Sequence, residues 1–126
     1  EKMIEDFHIK ATGHAATGKS LSGGNQQKVV LARELSRNPK LLIASQPTRG
    51  LDIAAVEFIH KKLLEARDEG TAILVISTEL DECMSLCDRL AVIFEGHIVG
   101  VMEKDGIEIE KVGLMMAGSY RQRDDT

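Results

Sequence analysis

Two glycine clusters near the amino end stand where backbone amides can meet phosphate. Gly13-His14-Ala15-Ala16-Thr17-Gly18-Lys19-Ser20 fits the phosphate-loop pattern GxxxxGK[ST]. In a working loop of this kind the glycine amides cradle phosphates, the lysine reaches the terminal ones and the hydroxyl meets Mg²⁺; a buried strand must precede it and a helix must follow. Here Glu5 to Ala11 offers only Phe7 and Ile9 as clear apolar positions, and Leu-Ser-Gly-Gly comes next. The stretch reads as a polar loop, with a small phosphotransferase using Lys19 and Ser20 as an alternative.

The second cluster, Ser22-Gly23-Gly24, sits directly before a run of helix formers. Free N–H groups at a helix start make an anion site, and glycines allow a phosphate to approach closely. Ser22 can cap the helix or bond a phosphate oxygen. The dipole contributes only about 0.3–2 kcal/mol, so such a site needs help from elsewhere. A plain N-cap is the simpler reading of these three residues alone.

The elements around these clusters follow from periodicity. A helix runs from Ser22 to the Asn38-Pro39 stop. Leu41 to Ala44 and Ala72 to Ile76 are short apolar runs, read as buried strands. Between them Val56, Ile59, Leu63 and Ala66 recur at helical spacing, which predicts a helix over Ala54 to Glu69 ended by Gly70. Leu80, Cys83, Met84 and Cys87 share one face of a further helix. Leu90 to Phe94 is a third strand, Glu95-Gly96 a tight turn, and His97 to Met102 the returning strand. Glu108 to Ala117 is a last helix and the tail from Ser119 is polar. Strand, helix, strand, helix, strand predicts an α/β fold with a parallel sheet and a terminal antiparallel hairpin.

Bulk properties narrow the classes. The 126 residues are 43% hydrophobic and 29% charged, with a net charge of −4, as expected for one soluble domain or a piece of one. That charge supplies no basic field for nucleic acid or anionic lipid. No run approaches the ~20 apolar residues of a membrane-spanning helix, so any membrane link is expected to run through a partner. Two cysteines fit a reducing compartment, and their place among Leu80 and Met84 favours packing over metal binding.

The order of motifs is more specific than any one of them. Leu21 to Gln27 with Lys28 reads LSGGNQQK; Leu41 to Gln46 reads LLIASQ; Pro47 to Asp52 reads PTRGLD; Leu74 to Thr78 reads LVIST. Over about Leu21 to Glu103 this resembles the ATP-binding domains of ABC transporters, and in particular the second ATPase half of fused sugar or nucleoside importers. The resemblance implies a P-loop NTPase-like fold, with residues 1–126 forming the carboxy-terminal portion of one nucleotide-binding domain. LSGGNQQ then matches the signature motif, LLIASQ the Walker B strand, GLD the D-loop and LVIST the switch loop. In that family two such domains pair head to tail, and each ATP lies between the P-loop of one and the signature of the other. Ser22, Gly23, Gly24 and Asn25 would contact the terminal phosphate of ATP held by a second nucleotide-binding domain. Gln26 would support that turn, Asp52 would reach across the interface, and Arg49 would face it.

Three catalytic positions depart from the family. Where it has Asp-Glu at the Walker B end, this chain has Ser45-Gln46, and where it has the switch histidine, this chain has Thr78. A serine holds Mg²⁺ poorly and an amide accepts no proton as a general base. Thr78 can bond a phosphate but cannot be protonated near neutral pH. The resemblance places the P-loop strand before Glu1, leaving the strands at Leu41 and Ala72 with an exposed apolar edge and a tendency to self-associate. It implies ATP and Mg²⁺ as cofactors, held mainly by the partner domain and the upstream segment. It also implies transmembrane permease partners, no direct membrane insertion, and a place at the cytoplasmic face of the membrane. A non-catalytic regulatory or dimerisation module is the competing reading.

Overall fold

Asp52, set before the apolar stripe Ala55, Ile59, Leu63 and Ala66, starts the helix on which the amino-terminal half is assembled. A computed structural model describes residues 23–123. The Gly13–Ser20 cluster, Leu21 and Ser22 lie outside the described residues. Two compact units divide the chain, Glu1–Thr78 and Glu79–Thr126.

In the first unit α1 is Gly23–Leu35, β1 is Leu41–Ser45, α2 is Ile53–Asp68 and β2 is Ala72–Ile76. β1 and β2 pair in parallel, from Leu41 opposite Ala72 to Ser45 opposite Ile76. Their apolar runs allow this because a connection through a helix returns the chain to the same end of the sheet. The sixteen residues of α2 bury Ala55, Ile59, Leu63 and Ala66, and Leu42 of β1 with Leu31 and Ala32 of α1 complete that core. Ile59 and Leu63 are 0% and 2% exposed, so the spacing that predicted the helix also identifies its buried face. The other sheet face shows Leu41, Ile43, Leu74 and Ile76, each about half exposed or more. Parallel sheets are normally covered on both sides. Among the described residues this sheet has two strands, so the expected exposed edge is joined by an exposed apolar face.

In the second unit α3 is Leu80–Leu86, β3 is Arg89–Phe94, β4 is His97–Glu103, a single 3₁₀ turn spans Lys104–Gly106, and α4 is Ile109–Met116. β3 pairs antiparallel with β4 in a two-stranded sheet, the predicted terminal hairpin. Its turn is set locally. Glu95 and Gly96 have φ of +46° and +79°, the double left-handed turn whose twist matches a two-residue hairpin. Leu90, Val92, Val99, Val112 and Met115 form the core of this unit, with Cys83 and Cys87 packed against it. Burial, then the neighbouring Glu82 carboxylate and Cys87, pushes the Cys83 thiol up, which suits a packing role over a thiolate ligand. Among the described residues no group of histidines, cysteines and carboxylates is placed to hold a metal ion.

Candidate functional site

The site begins at the start of α1. Gly23 and Gly24 are its first two residues, and its first turn carries no acidic side chain. The leading amides of a helix have no acceptor within it, and here no nearby carboxylate on the helix competes for the positive end of the dipole. Gly23 is exposed, and a Cβ added there would lie 3.8 Å from the Leu51 side chain, an ordinary contact. Gly24 differs. Its added Cβ would stand 3.0 Å from the Ala55 Cβ, so Gly24 is also what lets α1 approach α2 closely. The two glycines, read alike from sequence, therefore have separable duties. Asn25 is half-buried and Gln26 exposed in the same turn.

Helix α1 is held against α2 on a second turn by Lys28, whose ammonium lies 4.4 Å from the centre of the Phe58 ring. A third tie went unnoticed in the sequence. The Gln27 side-chain amide donates to the Pro47 carbonyl at 2.8 Å, twenty residues along the chain. Nothing in periodicity or spacing singles out Gln27, because its partner is a backbone oxygen.

Gln46 and Thr78 come together at the carboxyl ends of the parallel strands. The Gln46 N–H donates to the Ile76 carbonyl at 2.7 Å, carrying the ladder one residue past β1. The Gln46 side-chain oxygen accepts the Thr78 N–H at 3.4 Å. Gln46 sits at φ +48°, a left-handed conformation that costs a non-glycine residue about 1–2 kcal/mol. Pro47 then opens a turn closed by the Arg49 N–H on the Gln46 carbonyl, and the Leu51 N–H bonds the Thr48 carbonyl. Ser45, at the last position of β1, is exposed. The strand end thus offers a hydroxyl and an amide where Mg²⁺ binding calls for carboxylate oxygens. The residues present do not fit a tightly held Mg²⁺.

Asp52 caps α2, accepting the Ala55 N–H at 2.8 Å, and remains exposed. Asp52→Ala is expected to remove about 0.5–2 kcal/mol of stability, while Asp52→Asn, itself a good cap, keeps most of it. Thermal unfolding followed by circular dichroism checks this; equal losses in the two variants would exclude the capping role. Arg49 is exposed on the same turn.

The family profile described as ABC transporter matches residues 1–49. The nucleoside import ATP-binding protein NupA of Lactococcus lactis is 51% identical over 117 residues, covering 93% of this chain and 23% of that protein. The guanosine import ATP-binding protein NupO of Bacillus subtilis is 50% identical over 120 residues, covering 95% of this chain and 24% of that protein. The chain therefore spans about a quarter of the length of these curated relatives. Among solved structures, the ATP-binding cassette MJ1267 superposes with a TM-score of 0.77 over 96% of this chain and 48% of that one, at 24% identity. That likeness establishes the fold. Among the described residues no helix is long and apolar enough to cross a membrane.

Proposed function

The chain belongs to the ABC transporter ATP-binding family, and from that premise we propose that it serves an importer of nucleosides or sugars by lending its signature turn to ATP held on a second nucleotide-binding domain. The single observation that carries this is the start of α1: an exposed Gly23 and a first turn without an acidic residue. Its amides would bind the terminal phosphate, and Ser22, Asn25 and Gln26 would join that contact. Asp52 would face the partner domain from its capping position. The names of the two relatives near half identity favour a nucleoside over a sugar as the solute class. Solute choice itself would rest with transmembrane and extracytoplasmic partners, the domain binding the permease at the cytoplasmic face of the membrane.

The domain's own site, around Ser45, Gln46 and Thr78, would bind nucleotide without cleaving it efficiently. Phosphoryl transfer depends on positioning and charge neutralisation, and a neutral serine and amide supply neither a metal carboxylate nor a base. ATP and Mg²⁺ would be held mainly by the partner domain and by sequence outside the described residues. In this reading one site of the pair works and the other steadies the dimer.

Amide exchange in the full-length protein tests the first half of the proposal. The Gly23 and Gly24 amides should become protected when ATP is trapped without hydrolysis, and should lose that protection with ADP, which has no terminal phosphate to meet them. Exchange at these two amides that is the same with ATP and ADP would remove the signature role.

A further inference from the structure

Helix α1 is anchored unevenly. Its buried residues, Leu31 and Ala32, lie in its second half, while the glycines that would meet phosphate lie at its beginning. Between the middle of the helix and β1 is a cavity of about 320 Å³ lined by Gln27, Val30, Leu31, Leu42, Pro47 and Ile59 among others. The first turn itself contributes no residue to the buried core. Beside this cavity runs a side-chain bond from Gln27 to the buried Pro47 carbonyl at 2.8 Å.

The Pro47 end of that bond is stiff. Proline has a fixed φ, the preceding Gln46 is bonded to both Ile76 and Thr78, and the turn is closed by Arg49 on Gln46. On the helix, Gln27 and Leu31 are four residues apart on one face. Gly24 and Lys28, also four apart, meet Ala55 and Phe58 on a neighbouring face. Contacts on two faces define how far the helix is rolled and tilted, and hence where its first amides aim.

We propose that Gln27 is a positioning residue for the ATP that α1 serves, and that the turn after β1, having lost its catalytic carboxylates, acts as the seat of the signature helix. This rests on the reading above that Gly23 and Gly24 meet phosphate on a second domain. Gln27 touches no reacting atom; it acts through the orientation of the leading amides. Small displacements of positioning groups weaken phosphate stabilisation far more than they weaken folding.

The test uses the full-length protein and ATP turnover per molecule of gel-filtered, folded protein. Gln27→Met keeps side-chain volume and removes the donor; Gln27→Lys keeps a donor of similar reach. Turnover is expected to fall about tenfold in Gln27→Met, with the KM for ATP within about twofold, and to return to within about threefold of the parent in Gln27→Lys. Parental turnover in Gln27→Met overturns the proposal, as does an equal loss in both variants. The variant Gly23→Asp separates the two levels. If it is silent, the signature reading itself fails. If it is inactive while Gln27→Met is silent, only the positioning role fails.

Discussion

Gly23→Asp is expected to lower ATP turnover of the full-length protein by at least about 100-fold while leaving its melting temperature unchanged or slightly raised. The two effects have opposite signs for one reason. A carboxylate in the first turn of α1 interacts favourably with the helix dipole, and the 3.8 Å clearance to Leu51 leaves room for a Cβ. The same carboxylate would occupy the place proposed for the phosphate and repel it. Removing a single oxyanion donor costs about 10²–10³ in rate, and charge repulsion adds to that. Gly24→Asp should lose turnover too, but it also meets the Ala55 Cβ at 3.0 Å, and crowding of this kind costs about 1–3 kcal/mol. Only Gly23 separates catalysis from folding. Turnover within about threefold of the parent in Gly23→Asp would contradict the phosphate contact.

The second large effect is a gain. In full-length protein whose partner site has been silenced, the combination Ser45→Asp, Gln46→Glu and Thr78→His is expected to raise residual ATP turnover by about 100-fold, the usual weight of a positioned acid–base group. The geometry favours this without refolding. Glutamate has the shape of glutamine, so at position 46 it still accepts the Thr78 N–H, now with a charge that shortens the 3.4 Å bond. Position 45 closes β1 at the strand end and is exposed, so a carboxylate there suffers little desolvation. Position 78 lies beside Gln46 through the same bond, so a histidine enters an assembled cluster. Each substitution alone should give little, because groups that act as a unit are strongly non-additive. No gain in the triple variant would show that residues other than Ser45, Gln46 and Thr78 keep this site silent.

Much of this was legible in residue order. The stripe Val56, Ile59, Leu63 and Ala66 predicted α2 to within one residue at each end, since observed bounds are Ile53–Asp68. The apolar runs at Leu41 and Ala72 became β1 and β2, and Glu95-Gly96 became the hairpin turn. These features depend on neighbours within a few positions, which a linear reading captures. The third strand pairs with the returning strand as the terminal antiparallel hairpin that residue order predicts.

The amino-acid order by itself determined the motif series LSGGNQQK, LLIASQ, PTRGLD and LVIST, and with it the absence of an acid and a base at positions 45, 46 and 78. Those are statements about residue type, which no folding can alter. Only the tertiary structure decided that Gln46 meets Thr78, that Gln27 seats on Pro47, and that a side chain at position 24 would crowd Ala55. Each of these joins residues twenty or more apart, across strand register and helix docking. Their geometry is set by how the whole unit packs, so it cannot be read from local propensity.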